Sequence, residues 1–461
     1  MSVDLRKVKT VYFIGIKGVA MTGLAVICKN RAMEVFGSDV SEKFITDKIL
    51  TEYAITVFEE FSVKNFDVHP DLVVVGTSWD NSNVEVAEAK KRELPCITDS
   101  QLRGLLSQEK KTIAITGVHG KTTTTAMMAH VFTKAGLDPS YLIGTGAVPD
   151  LGANAAWRSG KHFIVEGDEY IGDHEKRQPK FLDLASSVSV ITSVEWEHVD
   201  VYPTLESIEQ AFKQLVDQTK ETIIACGDWD SIKKITAGKR NVITYGFHEG
   251  NTYQAYDLEE GFDDTLFKVK KDGDFFGEFE LKIFGQHNVL NALAVIIAAV
   301  TEGISEHMVR SALATFSGAE RRFDVSERNN IIFIDDYAHH PTEITTTLAA
   351  IRHRYKDKKI WCVFQPHMVS RTKALVDQFT TSFNDADMVL FADIFASARE
   401  QAEDFTSKEL AEKTKAHHPD VRYVGDLNET LDYLKKEMKP GMVLVTMGAG
   451  DVYRIRDKMM E

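Results

Sequence analysis

The segment IAITGVHGKTTTTAMMAH, residues 113–130, constrains the fold more than any other part of the chain. It joins an apolar run, a glycine turn, a lysine, four threonines and a helical pattern, which is the order of a P-loop. In such a loop, backbone N–H groups and the helix N-terminus hold phosphate oxygens. Lys121 stands where a lysine neutralises the β- and γ-phosphates, and Thr122 where a hydroxyl ligates Mg²⁺. Ile115 replaces the first glycine of the usual G-x-x-x-x-G-K pattern, so we interpret the loop as a variant form.

Three blocks of strand and helix patterns follow one another, and a length of 461 residues suggests about three domains. Residues 1–108 and 324–461 alternate short β-rich runs with helical patterns, which predicts parallel, doubly wound sheets. Residues 109–323 contain the glycine turn and, between about 241 and 284, short alternating segments that predict a small antiparallel sheet. The predicted fold class is therefore α/β in three domains, with Rossmann-like domains on either side of a P-loop domain.

Charge and composition disfavour several classes of protein. Subtracting 69 acidic from 54 basic residues gives a formal net charge of −15, and such a surface repels nucleic acid and anionic lipid. No run approaches the ~18 apolar residues that cross a bilayer, and the N-terminus lacks a signal-peptide pattern. Cys28, Cys96, Cys226 and Cys362 have no metal-site spacing, which predicts buried thiols in a reducing compartment. We expect a cytoplasmic protein with no nucleic-acid or membrane partner.

Polar side chains follow two predicted strands of the second block, at the edge where open α/β sheets bind ligands. The first set is Glu166, Asp168, Glu169 and Asp173, and the second is Glu195, Glu197, His198 and Asp200. Carboxylates at this edge suit the Mg²⁺ that accompanies a triphosphate. A solvated acidic turn and a structural histidine remain the alternatives.

Two consecutive strands of the third block also end in polar residues. FIDDYAHHPTEI supplies Asp335, Asp336, Tyr337, His339 and His340, and FQPHMVSRTKAL supplies His367, Ser370, Arg371 and Lys373. Because both sets follow strands of one predicted sheet, we expect them to border a ligand crevice. Scattered surface polarity is the alternative.

Two further motifs leave two interpretations open each. In GQHNVLNALAV, Asn288 and Asn291 either contact an adenine ring or, for Asn288, cap a helix. In GAERRFD, Arg321 and Arg322 either reach the γ-phosphate or form an exposed basic pair.

The glycines of FIGIKGVAMTGLA, in the first block, do not complete a G-x-G-x-x-G fingerprint. Gly15, Gly18 and Gly23 either bind a pyrophosphate-containing ligand or allow a helix to pack closely on a strand.

Taken in order, nine motifs resemble those of the Mur ligase family, the ATP-dependent amide-forming enzymes of bacterial cell-wall precursor synthesis. They span nearly the whole chain: GIKGVAMTGLA, ITGVHGKTTTT, EGDEY, EHVD, GQHNVLNALA, GAERRFD, DDYAHHPTEI, FQPHMVSRTKAL and GAGDV. The resemblance implies an N-terminal domain that holds a UDP-sugar, a central domain that holds ATP, and a C-terminal domain that holds the amine substrate.

The resemblance also implies site residues. The implied nucleotide contacts are Gly117, His119, Gly120, Lys121, Thr122, Thr123, Asn288, Asn291, Arg322 and Asp336. The implied Mg²⁺ ligands are Thr122, Glu169 and His198, and the implied catalytic residues are Lys121, Glu169, His198 and His340. The implied substrate contacts are Gly15, Gly18, Met21, Asp39, Ser78, His198, His340, His367 and Arg371.

The implied reaction joins the lactyl carboxylate of UDP-N-acetylmuramate to the amine of L-alanine through an acyl phosphate, using ATP and Mg²⁺. The alternative acceptor is a recycled L-Ala-D-Glu-diaminopimelate tripeptide. EKRQPKF, residues 175–181, is similar to the tripeptide-attaching branch, whereas SRTKAL is similar to the alanine-attaching branch. Monomer and homodimer both remain open.

Several residues depart from the family pattern. Lys17 and Ala338 stand where glycine is usual, and Met368 where arginine is usual. Phe212 occupies the position of the carbamylated lysine of several Mur ligases, with Lys213 beside it, so we do not expect that modification.

Other functional classes remain as rivals. A P-loop GTPase or motor would need switch segments and an N-K-x-D motif or its equivalent, which we do not find. A nicotinamide-dependent oxidoreductase would need the missing glycine fingerprint. A glycine turn without a ligand, and a non-catalytic sugar-nucleotide-binding homologue, are the remaining alternatives.

Overall fold

The computed structural model describes residues 3–173, 178–261, 264–395 and 405–461. Within these ranges the strands form three main sheets that follow one another along the chain. Residues 175–177 of the EKRQPKF segment and the side chain of Asp173 lie outside the description.

The N-terminal sheet is parallel throughout. Its strands are β1 (Thr10–Ile14), β2 (Glu34–Ser38), β3 (Thr56–Phe58), β4 (Leu72–Val75) and β5 (Cys96–Thr98), and its helices are α1 (Val19–Asn30), α2 (Asp47–Glu52), α3 (Val84–Lys91) and α4 (Asp99–Ser107), with a 3₁₀ helix at Val63–Val68. The strand order is β3-β2-β1-β4-β5. The order reverses beside β1, and ligands of doubly wound sheets bind at such a switch point.

The central sheet carries the P-loop. Its strands are β6 (Lys111–Thr116), β7 (Ser140–Leu142), β8 (Ala155–Ala156), β9 (His162–Glu166), β12 (Val188–Ile191), β13 (Thr222–Cys226), β14 (Val242–Gly246), β15 (Tyr253–Glu260), β16 (Thr265–Lys271) and β17 (Asp274–Leu281), beside a separate hairpin of β10 (Ile171–Asp173) and β11 (Gln178–Pro179). The helices are α5 (Lys121–Lys134), α6 (Leu205–Gln218), α7 (Asp230–Thr236), α8 (Gln286–Thr301) and α9 (Glu306–Leu313), with a 3₁₀ helix at Lys180–Asp183. The antiparallel strands expected between 241 and 284 are β15, β16 and β17, which extend the parallel sheet at one edge.

The C-terminal sheet is parallel except at one edge. Its strands are β18 (Asp324–Arg328), β19 (Ile331–Asp336), β20 (Ile360–Phe364), β21 (Met388–Ala392), β22 (Val421–Gly425) and β23 (Val443–Met447), and its helices are α10 (Pro341–Arg354), α11 (Val369–Ala374), α12 (Val376–Phe379), α13 (Ser407–Thr414), α14 (Leu427–Glu437) and α15 (Tyr453–Met460). The order is β18-β19-β23-β20-β21-β22, with β18 antiparallel to β19. The three-domain α/β prediction is confirmed, while the boundaries near residues 108 and 323 stay predictions.

The N-terminal and central sheets share one hydrophobic core. Helix α1 lies against β7 and β8, and a Cβ added at Gly23 would collide with the side chain of Leu142. Asn154 also donates from Nδ2 to the carbonyl of Val19 at 3.3 Å. The close-packing interpretation therefore holds for Gly23.

Two other expectations concern membranes and thiols. No helix within the described ranges is long and apolar enough to cross a membrane. The four cysteines are free; Cys28, Cys226 and Cys362 are buried as expected, whereas Cys96 is half-buried because β5 lies at the edge of its sheet.

Candidate active site

The P-loop connects β6 to α5. Gly117 and Gly120 adopt φ of +129° and +78°, which favour glycine, and α5 begins at Lys121. The Lys121 ammonium donates to the carbonyls of Gly117 at 2.6 Å and Val118 at 3.2 Å, and to Glu169 Oε2 at 2.7 Å. Burial alone would lower the pKa of Lys121, but Glu169 and its acidic neighbours outweigh burial and raise it. The loop therefore presents a half-buried ammonium that stays charged.

Asp168, Glu169 and His198 form a cluster beside this ammonium. Each offers one ligand atom, and the three atoms lie within 4.8 Å of one another. His198 Nε2 is 3.1 Å from Glu169 Oε1, and the Glu169 side chain is 2% exposed. Two carboxylates and an imidazole are ligand types that divalent cations accept. The donor set therefore fits a divalent cation next to the P-loop.

Thr122 and Arg322 link the P-loop to the segment that leads into the C-terminal sheet. The Thr122 hydroxyl donates to Glu166 Oε1 at 3.2 Å and accepts from Arg322 Nη2 at 3.2 Å. Arg321, its neighbour, is buried and donates to Asp335 Oδ2 at 2.9 Å. The exposed-pair interpretation is therefore wrong for both arginines, because each packs into an interface between the central and C-terminal parts.

A cavity of about 300 Å³ lies on the other side of the P-loop. The expected nucleotide contacts that border it are His119, Gly120, Thr123, Asn288, Asn291, Arg322 and Asp336. Trp229, Tyr245 and Phe247 add aromatic walls that sequence reasoning missed. Mostly apolar walls with a few amides suit a flat heteroaromatic ring.

Asn288 and Asp336 have defined partners in this cavity. Asn288 donates from Nδ2 to the carbonyl of Phe284 at 2.6 Å, and Asn291 Nδ2 donates to Asn288 Oδ1 at 3.0 Å. The N-cap of α8 is Gly285, so the capping interpretation of Asn288 is wrong. Burial raises the pKa of Asp336 to about 6, against the opposing charge of Arg322 and hydrogen bonds from backbone N–H groups.

A second cavity, of about 430 Å³, contains the P-loop lysine and the acidic cluster, and we name it the reaction cavity. Its walls include Ser78 from the N-terminal part, Lys121, Thr122, Glu169 and His198 from the central part, and His367 and Arg371 from the C-terminal part. A third cavity, of about 190 Å³, adjoins it and is lined by Val19 and Ala20 at the start of α1 and by Arg103. These two cavities share Gly144, Glu166, Asp168, Lys180, Arg322 and Tyr337.

Arg371 and His367 follow β20 and are held internally. Arg371 Nε donates to Glu197 Oε1 at 2.6 Å, and its Nη1 lies 3.3 Å from His367 Nδ1. The buried Glu197 carboxylate keeps the pKa of Arg371 raised, although burial alone would lower it. The His367 ring stacks on Phe395, with ring centroids 5.6 Å apart.

His340 lies behind this wall and does not border the reaction cavity. It is the N-cap of α10, where its Nδ1 accepts from the backbone N–H of Thr342 at 3.3 Å. Its Nε2 and Glu197 Oε2 lie 3.8 Å apart, and neither has a hydrogen-bond partner within the described ranges. The structure thus gives His340 a capping role that its sequence position alone did not show.

Comparisons with known proteins cover the whole length. Three family models match: the Mur ligase family catalytic domain at 10–111, the Mur ligase middle domain at 115–299, and the Mur ligase glutamate ligase domain at 321–450. The UDP-N-acetylmuramate–L-alanine ligase of Carboxydothermus hydrogenoformans is 35% identical over 460 residues, which is 99% of this chain and 97% of the relative. The chain belongs to the Mur ligase family.

Many solved structures are similar to this chain, and two of them are informative about the acceptor. The UDP-N-acetylmuramate-alanine ligase of Thermotoga maritima matches with a TM-score of 0.83 and 26% identity, covering 98% of both chains. The UDP-N-acetylmuramate:L-alanyl-gamma-D-glutamyl-meso-diaminopimelate ligase of Neisseria meningitides matches with a TM-score of 0.63 and 29% identity, covering 68% of this chain and 99% of that one. As a Mur ligase, the chain is an ATP-dependent, amide-forming enzyme of peptidoglycan precursor synthesis.

The expected UDP-sugar contacts of this Mur ligase lie mainly at the carboxyl edge of the N-terminal sheet. Gly15 follows β1, Gly18 is the N-cap of α1, and Met21 is buried in α1. Asp39 follows β2 and accepts from the Lys17 backbone N–H at 2.7 Å. Of the expected set in this sheet, Ser78 reaches the reaction cavity, whereas these four do not border it.

Lys17, which replaces a usual glycine of the family, is held within the loop that follows β2. Its side chain is 1% exposed, and the ammonium donates to the carbonyls of Val40 at 2.8 Å and Glu42 at 2.9 Å. The Thr46 hydroxyl donates to the Lys17 carbonyl at 2.5 Å. Lys17 therefore tethers the loop that follows β2.

Replacing Lys17 with methionine should destabilise this loop. Lys17→Met leaves two carbonyls without a charged donor, and we expect the free energy of unfolding to fall by about 2 kcal/mol. Denaturant titration of the full chain measures the change. Lys43→Met is the matched control, because Lys43 lies on the same loop with a side chain 78% exposed. Equal stability of the Lys17 variant and the wild type would contradict the tether.

Phe212 and Lys213 lie at and beside the position of the carbamylated lysine of several Mur ligases. Phe212 is fully buried in the central core, whereas Lys213 is half-buried, with a side chain 42% exposed, and pairs with Asp217 at 2.5 Å. The site therefore has no lysine at the buried position.

Proposed function

We propose that this Mur ligase joins UDP-N-acetylmuramate to L-alanine. The reaction cavity supports this function most directly, because it gathers a P-loop lysine, an acidic cluster and C-terminal basic residues in one space. The cavity shared with the start of α1 gives a continuous path from the N-terminal domain to the P-loop. Relatives at 35% identity named for this reaction favour L-alanine as the acceptor.

The chemistry requires activation of a carboxylate, whose oxygen is a poor leaving group. The γ-phosphoryl of ATP is transferred to the lactyl carboxylate, which forms an acyl phosphate and releases ADP. The uncharged amine nitrogen of L-alanine then attacks the acyl carbon, and the tetrahedral intermediate expels phosphate to leave the amide. The proton that the nitrogen loses is taken up in the net reaction by the released phosphate, which forms hydrogen phosphate.

Residues of the chain have separate tasks in this scheme. Lys121 offsets negative charge on the transferred phosphoryl. Arg322, which donates to the Thr122 hydroxyl, contributes a second positive charge. Gly117, Gly120 and the start of α5 hold the phosphates through backbone N–H groups. Asn288, Asn291 and Asp336 border the cavity that we assign to the adenine and ribose.

Thr122, Glu169 and His198 are the residues that would hold Mg²⁺, with Asp168 beside them. When bound, the ion supplies positive charge that stabilises a phosphoryl group in transfer. These residues fit a cation because contacts with the protein already orient the Glu169 carboxylate. One of its oxygens accepts a hydrogen bond from the Lys121 ammonium, and the other lies 3.1 Å from His198 Nε2.

The C-terminal residues hold the acceptor end. We assign Arg371 and His367 to the wall that faces the amino acid, and Glu197 orients Arg371. His340 supports this wall from behind, since it caps α10 and faces Glu197 Oε2. These segments form the C-terminal wall of the reaction cavity, and their closure over it would shield an acyl phosphate from water.

An acceptor series tests the proposal. Protein, ATP, Mg²⁺ and UDP-N-acetylmuramate are incubated with L-alanine, L-serine, glycine or the L-Ala-D-Glu-diaminopimelate tripeptide in separate reactions, and products are identified by mass spectrometry. We expect L-alanine to give the amide fastest. A reaction without UDP-N-acetylmuramate is the control and should release no phosphate. Preference for the tripeptide would instead favour the reaction for which the Neisseria enzyme is named.

A further inference from the structure

His119 lies at the boundary between the P-loop and the C-terminal domain. Its Nε2 is 2.8 Å from Glu195 Oε2 of the central domain, and its Nδ1 is 3.1 Å from Glu343 Oε1 in the first turn of α10. The imidazole therefore bridges two carboxylates that belong to different domains. His119 and Glu343 also border both the cavity of about 300 Å³ that we assign to the adenine and ribose and the reaction cavity.

A second contact closes this bridge into a ring. The Thr342 hydroxyl donates to Glu195 Oε1 at 2.9 Å, and Glu343 Oε2 accepts from the backbone N–H groups of His339 at 3.0 Å and His340 at 3.2 Å. The start of α10 is thus fixed to the P-loop through His119 and Glu195.

This ring of hydrogen bonds requires His119 to be positively charged. Carboxylates only accept hydrogen bonds, and a neutral imidazole carries one N–H, so both contacts require the doubly protonated ring. Without that positive charge, closure would bring two carboxylates together across the interface. Burial alone would lower the pKa of His119, but the hydrogen bonds to Glu195 and Glu343 outweigh it and raise the pKa to about 9.

Other titratable and charged groups lie near the His119 imidazole and its two carboxylate partners. From α10 and its cap, His340 has its ring centroid 5.0 Å from that of His119, and His339 interacts with Glu343. Arg322, from the segment before the C-terminal sheet, and Arg371, which follows β20, also interact with Glu343. Burial lowers the pKa values of His339 and His340, so His119, Arg322 and Arg371 carry the positive charge here.

We propose that His119, in its positively charged form, is a positioning residue that locks the C-terminal domain, which binds the acceptor, onto the P-loop. In this role it aligns the amine with the phosphorylated carboxylate, in addition to bordering the nucleotide cavity. The inference rests on the proposed function for its turnover measurements, whereas domain closure can be measured without turnover and without an acceptor.

Small-angle X-ray scattering with a non-hydrolysable ATP analogue and UDP-N-acetylmuramate measures closure. The variants are His119→Gln and Glu343→Gln, and His307→Gln on the exposed face of α9 is the matched control. We expect the wild type and the control to have the smaller radius of gyration of the closed state, and both ring variants to remain larger. Because Glu343 lies in another domain, its variant tests the lock even where His119→Gln folds poorly.

Kinetics separate positioning from binding. We expect kcat of His119→Gln to fall about 30-fold. Truncating one partner of a hydrogen-bonded charge pair costs about 2 kcal/mol at the lower end of the usual range, and about 2 kcal/mol corresponds to that factor. KM for ATP should change by less than about threefold. The wild-type kcat should fall as pH rises through about 9, where His119 loses its proton, and this alkaline decrease should be absent in His119→Gln.

Two outcomes would overturn the lock. One is normal closure of His119→Gln with an unchanged alkaline decrease in kcat. The other is a large rise in KM for ATP with kcat and closure unchanged, which would make His119 a nucleotide ligand alone. If scattering shows the lock but L-alanine gives no product, the acceptor assignment fails while this inference stands.

Discussion

Replacing Lys121 with alanine should reduce ADP release that depends on UDP-N-acetylmuramate by about 10³-fold. Lys121 is the first residue of helix α5 and borders the reaction cavity. Its ammonium lies 2.7 Å from Glu169 Oε2. Without it, charge on the transferred phosphoryl meets three nearby carboxylates with no ammonium between them. Initial rates of ADP formation with and without the sugar nucleotide measure the effect.

The same substitution also leaves the buried Glu169 without its ammonium partner, so stability must be measured beside activity. Thermal unfolding of Lys121→Ala distinguishes lost folding from lost chemistry. Lys121→Arg keeps a positive charge and should unfold near the wild-type temperature while remaining slow. Lys134→Ala, at the exposed end of the same helix, is the matched control and should keep full activity. Retained sugar-dependent turnover in Lys121→Ala would remove the loop from the mechanism.

Much of the fold could be predicted because buried parallel strands are short apolar runs. β6, β19 and β23 are almost wholly buried, and their sequences stand out from the polar segments around them. Strand β18, DVSER, was not predicted, since it is a half-exposed antiparallel edge strand with few apolar residues. The joining of β15 to β14 in one sheet depends on pairing between segments, which a local pattern does not show.

The candidate site could be predicted in part for a related reason. Lys121, Glu169 and His198 each follow a strand of the central sheet, and the carboxyl ends of such strands meet at one edge. Glu343 was not predicted to contact His119, because the two are separated by more than two hundred positions and meet only across domains. Likewise, the aromatic walls Trp229 and Tyr245 look like ordinary core residues in the sequence.

His340 shows how one pattern serves two purposes. The HPTE segment has a histidine followed by proline and glutamate, which is a polar motif at a strand end and also a helix start. The structure shows the helix start directly, with a reciprocal hydrogen bond between the cap and Glu343. Its distance from the reaction cavity depends on how α10 packs, so the catalytic role expected for His340 stays a prediction.

Replacing Glu169 with glutamine should weaken Mg²⁺ use and slow turnover together. Glu169→Gln keeps the shape of the side chain but removes the charge that orients His198 and pairs with Lys121. We expect the Mg²⁺ concentration for half-maximal rate to rise by about tenfold or more, and kcat at saturating Mg²⁺ to fall by about 10²-fold. Initial rates over a Mg²⁺ titration at fixed ATP measure both quantities.

A binding measurement separates the cation from the chemistry in this variant. Mn²⁺ binding followed by electron paramagnetic resonance in the presence of a non-hydrolysable ATP analogue requires no turnover. Glu249→Gln, on an exposed turn of the central domain, is the matched control and should bind Mn²⁺ as the wild type does. Because Asp168 and His198 remain in place, residual binding is expected at high Mn²⁺. An unchanged affinity would mean that the cation is held by the triphosphate and Thr122 alone, and Glu169 would then serve only to position Lys121.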